Sequence, residues 1–491
     1  MLLLGIDIGT SSVKASVVDA STQKVIASAQ YPDEESPIIA LQPGWAEQSP
    51  DMWWEQVQKA IELCTNKGIY NTLDIAAIGI AYQMHGLVVV DKDQNVLRNS
   101  IIWCDSRAVE IGDKAFDGIG GERCLSHLLN SPGNFTASKL AWIKANEPEI
   151  YWQIDKIMLP GDFISMKLTG EINTSVSALS EGVFFDFLSN RLSADIINYF
   201  EFDRSFFPEI QPLFSPHGNL LASVAQKLKL KPGIPVTYKA GDQPNNALSL
   251  NVLNPGEIAA TAGTSGVIYG VSDQLAYDLQ SRINTFAHVN YTEQQQRLGV
   301  LLCINGVGSL YRWLKSVFGG SESYLQLNNK AKTAPEGGEG LLVLPFGNGA
   351  ERMLNNKMVG AHFNNIDLNK HTQAHVVRAA QEGIAFAFRY GLDIMRDNGI
   401  NPTVIRAGQN NLFLSELFTE TFVNITGVPV ELYKNDGSAG AALGAGIGAG
   451  IFSSAKQAFE HTHPLQLVEP SKNSLEQVYQ DWKTLLKKQL E

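Results

Sequence analysis

A chain of 491 residues is too long for one compact hydrophobic core, so we expect two or three domains. Hydrophobic residues make up 44% and charged residues 18%, which is ordinary globular composition. The 38 Lys and Arg against 50 Asp and Glu leave a net charge of −12, which argues against nonspecific binding to nucleic acid or to an anionic membrane.

The pattern near the N-terminus does not fit a signal peptide or a membrane span. The apolar run there lacks a cationic segment and is interrupted by Asp7, and no stretch reaches 18 apolar residues. Four cysteines are few for this length, and none belongs to a C-x-x-C pair. We therefore expect a reduced, cytoplasmic protein.

Three β-strands are predicted at the start, over residues 2–8, 12–18 and 24–30, with the first two forming a hairpin. A helix follows, with Ser49 as its N-cap and Pro50 at its first position. The segments "IAAIGIAYQ" and "GLVVVD" then predict buried strands. Alternating helices and buried strands favour an α/β layered domain.

A single carboxylate, Asp7, stands at the end of the first strand, before a turn rich in glycine and hydroxyl groups. The Walker A motif is absent, so a P-loop does not explain phosphate binding. Backbone N–H groups and hydroxyls of such a turn suit phosphate oxygens, and Lys14 adds positive charge. Because Asp7 would repel a phosphate, we expect Mg²⁺ between them. An ordinary turn with a capping aspartate explains the pattern equally well. The turn residues are Gly9, Thr10, Ser11 and Ser12.

A second polar group follows the buried strand at residues 75–83. His85 stands in "YQMHG", and Trp103, Asp105 and Arg107 follow in "IIWCDSRA". These residues favour a polar pocket with an aromatic wall, which suits a polyol. A lone histidine is more often structural, so that alternative stays open.

A second carboxylate, Asp242, follows the apolar segment "IPVTY" in "KAGDQPNNALSL", with Gln243 directly behind it. An Asx turn would account for this residue. Two carboxylates are also what phosphoryl transfer to an alcohol needs, one near the metal and one to accept the hydroxyl proton.

The second half of the chain contains a short repeat of the first. "AGTSGVIYGVSD" at 262–273 is similar to "IGTSSVKASVVD" at 8–19, which suggests two related domains with a boundary near residues 253–258. The small-residue segment 438–452 fails the dinucleotide fingerprint and predicts a helix that packs closely on a neighbour. Residues 471–491 predict an amphipathic surface helix.

Together these motifs resemble the FGGY family of carbohydrate kinases, within the actin-like ATPase superfamily. The resemblance covers nearly the whole chain and rests on "DIGTSSVK", "QMHG", "IIWCDSRA", "NFTASKLAWIKANEP", "AGDQPNNA" and "AGTSG". It implies an α/β fold of two actin-like (ribonuclease H-like) ATPase domains with a cleft between them. Residues 1–247 would bind the sugar and would carry the first phosphate motif. Residues 248–491 would bind the nucleotide.

The resemblance also implies a role for each matching residue. Asp242 would be the proton acceptor, and Asp7 and Asp242 would lie at the Mg²⁺ site. Residues in contact with the sugar would be Met84, His85, Trp103, Asp105 and Gln243. Residues facing ATP would be Thr10, Ser11, Ser12, Lys14, Gly263, Thr264, Ser265, Gly308, Gly408 and Asn411. The adenosine segment departs from the family pattern, because "RAGQNNLFLSEL" lacks the usual run of glycines.

The expected activity is phosphorylation of D-xylulose by ATP in pentose catabolism, since "QMHG" is most similar to the family members that act on xylulose. Another ketose or polyol, such as ribulose, fuculose, gluconate or glycerol, is the first alternative. An actin-like ATPase without a sugar substrate is the second. The expected partners are a small sugar and ATP, and a homodimer stays open because the sequence does not set the oligomeric state.

Overall fold

The structure is a computed structural model that describes residues 1–471 and 474–491. The chain divides into two units by its internal contacts. The first unit comprises Met1–Asn251, Phe286–Leu298 and Asp436–Thr462, and the second comprises Val252–Thr285, Gly299–Asn435 and His463–Glu491. The first crossing lies close to the predicted boundary at residue 247, and the assignment of a function to each domain stays a prediction.

The first part of the chain holds ten helices and thirteen strands. The strands are β1 (Leu2–Ile8), β2 (Val13–Asp19), β3 (Val25–Tyr31), β4 (Glu47–Gln48), β5 (Ile75–Tyr82), β6 (Val88–Val90), β7 (Ser100–Ile101), β8 (Lys156–Met158), β9 (Asn173–Thr174), β10 (Phe185–Asp186), β11 (Arg191–Leu192), β12 (Glu209–Ile210) and β13 (Val236–Gly241). The helices are α1 (Pro50–Thr65), α2 (Val109–Ile119), α3 (Gly121–Leu128), α4 (Thr136–Asn146), α5 (Pro148–Tyr151), α6 (Pro160–Thr169), α7 (Val176–Glu181), α8 (Ala194–Phe200), α9 (Ala222–Leu228) and α10 (Asp242–Ser249).

Local sequence signals account for the first elements of this unit. The three predicted strands at the start are confirmed as β1, β2 and β3. Helix α1 begins as predicted, because the Ser49 side chain accepts the backbone N–H of Met52 and Pro50 needs no hydrogen-bond partner at the first helical position.

The central sheet of the first unit runs in the order β13-β5-β1-β2-β3. Strand β1 is antiparallel to β2 and parallel to β5, and β13 is parallel to β5. In this register Ile8 lies beside Tyr82, and Tyr82 lies beside Gly241. The three parallel strands therefore end at the same edge of the sheet.

The remaining elements follow in chain order. The strands are β14 (Glu257–Ala262), β15 (Gly266–Ser272), β16 (Asn284–Ala287), β17 (Leu298–Ile304), β18 (Leu342–Phe346), β19 (Gly360–Asn364), β20 (Val404–Gly408), β21 (Val430–Tyr433) and β22 (Gln466–Val468). The helices are α11 (Gly308–Phe318), α12 (Tyr324–Ala331), α13 (Gln373–Asp397), α14 (Glu416–Thr426), α15 (Gly437–Gly448), α16 (Ala455–Ala458) and α17 (Glu476–Leu490).

The sheet built around β14 repeats the strand order of the first sheet. Its order is β16-β17-β15-β14-β20-β21-β22, with β14 antiparallel to β15 and parallel to β20, and with β20 parallel to β21. Strands β14, β15, β17, β20 and β21 thus take the places of β1, β2, β3, β5 and β13. The short repeat in the sequence marks the same hairpin in both sheets, which agrees with the predicted pair of related α/β domains.

Helix α15 packs on the first sheet at very close range, as its small residues predict. A Cβ atom at Gly5 would lie 1.8 Å from the carbonyl oxygen of Ser438, and one at Gly79 would lie 2.0 Å from that of Ala441. Only glycine fits these sheet positions without displacing the helix. The helix belongs to the first unit, although in the sequence it lies between strands β21 and β22 of the second sheet.

Helix α17 is amphipathic, as predicted for the C-terminal segment. Tyr479 and Trp482 are buried, and the Trp482 indole N–H donates to the carbonyl oxygen of Val343 at 2.8 Å. The helix begins at Glu476, and residues 472 and 473 of the predicted segment lie outside the described residues. Within the described ranges, no helix combines the length and the apolar character needed to cross a membrane.

Candidate active site

Three strand ends bring the predicted catalytic and sugar-binding residues of the first unit to one edge of the sheet. Asp7 is the last residue but one of β1, Met84 and His85 follow β5, and Asp242 follows β13 as the first residue of α10. Polar groups at the carboxyl ends of parallel strands form the usual ligand site of α/β sheets. Residues far apart in the sequence thus meet because of the strand order.

The two carboxyl groups, Asp7 and Asp242, have shifted acidities. Burial raises the pKa of Asp242 to about 7, and the charge of Asp7 adds to that rise. Burial also raises the pKa of Asp7 to about 6, with the charge of Asp436 adding to the effect and Lys14 opposing it. Both residues keep part of their surface exposed to solvent. The two pKa shifts therefore come from partial removal of water together with the nearby charges. Ionising both groups together costs free energy that a bound cation would offset.

This acidic pair fits Mg²⁺ better than a metal held by protein alone. The described residues contain no cluster of three or more His, Cys, Asp and Glu side chains that could hold an ion. Mg²⁺ takes one or two carboxylates and fills its other positions with water and substrate phosphates. Asp7 also lies against the start of α15, because a Cβ atom at Gly437 would be 2.2 Å from its Oδ2.

The turn after β1 is closed by a hydrogen bond from the Gly9 N–H to the Ser12 carbonyl oxygen at 3.0 Å. The Thr10 hydroxyl donates to Gln83 Oε1 at 3.1 Å and accepts the Trp103 indole N–H at 2.9 Å. Ser11 is exposed, and Ser12 is partly exposed. The turn therefore keeps hydroxyl groups at its surface while Thr10 is tied to the residues after β5.

Lys14 is paired within the first unit. Its Nζ lies 2.5 Å from Asp436 Oδ2, and Asp436 also caps helix α15 by accepting the N–H groups of Ser438 and Ala439. The ammonium group is thus fixed by a carboxylate, and its predicted contact with a phosphate stays a prediction.

His85 is held in a left-handed backbone conformation, with φ at 63°. Its N–H donates to Glu181 Oε1 at 3.2 Å, and its carbonyl oxygen accepts the Lys139 ammonium at 2.9 Å and the Thr136 hydroxyl at 3.2 Å. Such a conformation is uncommon for a residue with a side chain and persists only where neighbours fix it. Three side chains therefore fix the backbone of His85, a residue predicted to bind the sugar.

The imidazole ring of His85 is fixed as well. Its Nδ1 lies 2.9 Å from the backbone oxygen of Glu181, and since a carbonyl oxygen only accepts, Nδ1 carries the hydrogen. The ring packs against Phe135 and Phe286, with centroids 4.9 and 5.5 Å away. Met84 is buried beside Gly241, where a Cβ atom would lie 2.7 Å from its Cγ.

The other predicted sugar residues differ in their surroundings. Trp103 is half-exposed and reaches the turn after β1 through Thr10. Asp105 is fully buried, and its carboxylate accepts the Ala46 N–H and the Arg107 guanidinium at 2.5–3.0 Å. These contacts support a structural role for Asp105, so its predicted sugar contact has no support from the geometry. Gln243 has a buried Oε1 that finds no hydrogen-bond partner among the described residues, which suits a bound ligand.

In the second unit, four of the predicted nucleotide residues lie together. The Gly308 N–H donates to the Gly263 carbonyl oxygen at 2.9 Å, and a Cβ atom at Gly308 would lie 2.3 Å from that oxygen. The Asn411 amide lies 3.4 Å from the position of a Cβ atom at Gly263. Thr264 and Asn411 are exposed.

Ser265 completes the turn between β14 and β15, and Gly408 ends β20 just before Asn411. Both therefore belong to the same region of the second unit as the other four residues. Gly308 packs so closely against the Gly263 carbonyl oxygen of this turn that only glycine fits at position 308.

Three residues that support the first unit's site were not among the predicted site residues. Glu181 and Lys139 hold His85. Lys139 stands in the motif "NFTASKLAWIKANEP", but nothing in that motif points to His85, and Glu181 stands in none of the quoted motifs. Asp436 had a detectable signal, since an aspartate before a helical run is a common N-cap. Its ion pair with Lys14 spans most of the chain and has no local signature.

Comparison with known proteins identifies the family. The profile of the FGGY family of carbohydrate kinases, N-terminal domain, matches residues 2–249, and that of the C-terminal domain matches residues 258–451. The chain belongs to the FGGY family of carbohydrate kinases.

Relatives within the FGGY family cover almost the whole chain. The xylulose kinase of Escherichia coli (strain K12) is 29% identical over 447 residues, which is 90% of this chain and 88% of that protein. The crystal structure of xylulose kinase from Rhodospirillum rubrum superposes with a TM-score of 0.88 at 25% identity, over 99% of both chains. Plasmodium falciparum glycerol kinase with ADP superposes with a TM-score of 0.90 at 20% identity, over 100% of this chain and 98% of that one. The last likeness shows the fold alone, so the fold does not by itself select the sugar.

Proposed function

We propose that the protein transfers the γ-phosphoryl group of ATP to D-xylulose, giving D-xylulose 5-phosphate and ADP, in cytoplasmic pentose catabolism. The observation that carries the proposal is Asp242, a carboxyl group with a pKa near 7 at the end of β13, on the same sheet edge as Asp7 and His85. The choice of xylulose among sugars is supported by the similarity to the xylulose kinases of E. coli and R. rubrum.

Asp242 acts as the general base in this proposal. Its carboxylate accepts the proton of the sugar's terminal primary hydroxyl while that oxygen forms a bond to the γ-phosphorus. The bond between the γ-phosphorus and the bridging oxygen breaks, and ADP leaves with that oxygen. A base with a pKa near 7 is ionised in a large fraction of molecules at neutral pH and is still basic enough to take the proton.

Asp7 and Asp242 would hold Mg²⁺, which supplies positive charge to the phosphates during transfer. In its absence the two carboxylates repel each other, as the raised pKa of Asp242 indicates. The hydroxyl-rich turn after β1 contributes Ser11 and Ser12 to the phosphates. In the second unit, the turn at Gly263–Ser265 and the exposed Asn411 would contact the nucleotide.

His85 and Met84 bind the sugar in this proposal. Because Nδ1 of His85 donates to the Glu181 backbone oxygen, the ring is oriented before the sugar arrives. Met84 adds an adaptable apolar contact. A site built on such bonds disfavours a sugar with a misplaced hydroxyl by about tenfold to a hundredfold for each bond lost.

ADP release measured over a panel of acceptors tests this function. We expect the highest kcat/KM with D-xylulose among D-xylulose, D-ribulose, L-xylulose, L-ribulose, glycerol and gluconate. A higher value for another acceptor would refute the choice of sugar and leave the sugar-kinase activity standing. Equal ADP release with and without every sugar would instead support an ATPase that has no sugar substrate.

A further inference from the structure

We propose that Glu181 is a further sugar-binding residue, whose carboxyl Oε2 hydrogen-bonds an oxygen of the acceptor beside His85 and helps to select it. The inference rests on the proposed function. Glu181 ends helix α7 and is buried, with 1% of its surface exposed. A buried carboxyl group outside the predicted catalytic pair needs an explanation, because burial of a polar group is costly unless it is hydrogen-bonded.

The two oxygens of the Glu181 carboxyl group have different surroundings. Oε1 accepts the backbone N–H of His85 at 3.2 Å. Oε2 is buried and has no hydrogen-bond partner within 3.5 Å among the described residues, although the Tyr82 hydroxyl lies near enough to oppose the rise in the pKa of the carboxyl group. Oε1 therefore holds His85, which is predicted to bind the sugar, while Oε2 can still form a hydrogen bond with a ligand.

Gly241 shows where Oε2 lies. A Cβ atom at this position would be 2.7 Å from Glu181 Oε2 and 2.7 Å from Met84 Cγ. Because Gly241 has no side chain, the Glu181 carboxyl group fits against its backbone. Asp242 is the next residue in the chain. Oε2 is thus placed among Met84, His85 and Asp242, the three residues predicted to contact the sugar or its reacting hydroxyl.

The charge state of Glu181 suits a hydrogen-bond donor. Burial raises its pKa well above the usual range, and the charges of Asp242 and Asp162 act in the same direction. The His85 N–H and the Tyr82 hydroxyl act in the opposite direction, and the net pKa is raised. The raised pKa favours the protonated carboxyl group, whose O–H can donate to a hydroxyl or keto oxygen of the sugar.

No nearby cation takes over this role. Lys139, whose own pKa burial lowers to about 7, lies within electrostatic reach of Glu181. Its ammonium donates to the backbone oxygens of His85 and Ile102, both at 2.9 Å. Lys139 therefore fixes the backbone around the site, and Glu181 supplies a side-chain donor to the ligand.

A double-mutant cycle that combines Glu181 variants with deoxy sugars tests the contact between Oε2 and the sugar. The variants are Glu181→Ala and the near-isosteric Glu181→Gln, and the substrates are D-xylulose and analogues that each lack one oxygen. With Glu181→Ala we expect kcat/KM for D-xylulose to fall by about tenfold to a hundredfold, with the KM for ATP unchanged. One deoxy analogue should show a much smaller loss, because it lacks the partner of Oε2.

Ser180→Ala is the matched control, since Ser180 precedes Glu181 in α7 and its hydroxyl bonds only backbone groups, the Ser177 oxygen and the Ala287 N–H. It should change all analogues alike. Equal losses across all analogues with Glu181→Ala would overturn the sugar contact and leave Glu181 as a positioning residue for His85.

Glu181→Gln keeps the test decisive if the alanine variant does not fold. An amide can donate and accept in place of a protonated carboxyl group, so kcat/KM near pH 7 should stay within about threefold. A loss of tenfold or more in the glutamine variant that falls equally on all analogues would contradict the proposal.

The outcome also separates this inference from the proposed function. If the wild-type protein phosphorylates D-xylulose and no analogue shows coupling, only the role of Glu181 fails. If another sugar is preferred, the same cycle is run with that sugar and its deoxy analogues. If no sugar is phosphorylated, both proposals are refuted.

Discussion

The two hairpins that carry the Gly-Thr-Ser sequence differ in charge although they occupy the same place in their sheets. In the first unit, Asp7 pairs across the hairpin with Lys14. In the second unit, Thr261 stands at the equivalent position and pairs with Val267. The same turn is thus combined with an acidic group in one unit and with uncharged side chains in the other.

The hairpins also differ in how the turn is supported. The first turn has four residues between its strands and is joined through Thr10 to Gln83 and Trp103. The second has three and is packed against Gly308 through backbone hydrogen bonds. We infer that both turns bind phosphate groups, and that only the first hairpin adds a carboxylate, Asp7, for metal binding. The four predictions below test this division.

The largest effect is expected from Asp242→Asn. Loss of the base should lower kcat by about two to four orders of magnitude, the usual contribution of general acid–base catalysis. The affinity for sugar should change by less than about threefold. Steady-state kinetics together with calorimetric sugar binding measure both quantities. Near-normal turnover in the folded variant would exclude Asp242 as the base.

Thermal unfolding is the control for this variant. Because folding raises the pKa of Asp242, the folded protein binds more protons than the unfolded chain between about pH 4 and pH 7, so stability falls as pH rises through that window. Asparagine does not ionise, so the Asp242→Asn variant does not lose stability in this way. Its Tm at pH 8 and without Mg²⁺ should therefore be higher than that of the wild type.

The second prediction compares equivalent positions of the two hairpins. Asp7→Asn should weaken the apparent affinity for Mg²⁺ by about 10–100-fold, the range seen when a group supporting a metal is removed. Thr261→Val should change it by less than about threefold. A titration of activity with Mg²⁺ gives both values. Equal effects at the two positions would show that the charge difference between the hairpins has no function.

The third prediction concerns Gly308→Ala. The added Cβ atom would lie 2.3 Å from the Gly263 carbonyl oxygen and must displace the second turn. We expect the KM for ATP to rise by about tenfold while sugar affinity without nucleotide stays the same. Gly319→Ala, at the other end of α11, is the matched control for damage to the helix. A loss of sugar affinity with Gly308→Ala would contradict the division between the units.

The smallest effect is a shift of the pH profile. The acid limb of kcat/KM should fall with an apparent pKa near 7, because protonated Asp242 cannot accept a proton. Asp7→Asn removes a negative charge that raises this pKa, so the limb should move to lower pH. A profile that stays in place would mean that the two carboxyl groups do not interact.

Local patterns predicted the elements and the turns well, because they depend on neighbours in the sequence. The cap at Ser49, the hairpin after Asp7 and the close-packed helix at 437–448 are examples. Long-range partners were not predictable. The bond between His85 and Glu181 joins residues 96 positions apart, and it depends on where α7 ends in space. Asp105 is buried against Arg107, and residue type alone does not reveal that burial, so its contact with the sugar stays a prediction.

The most direct test of the division is a calorimetric titration of the Asp7→Asn/Asp242→Asn double variant with ADP, with and without Mg²⁺. Without Mg²⁺ the variant should bind ADP at least as tightly as the wild type, because two groups that repel phosphate are gone while the second hairpin is intact. Added Mg²⁺ should tighten binding in the wild type and much less in the variant. Loss of ADP binding by the double variant without Mg²⁺, or an unchanged response to Mg²⁺, would contradict the account.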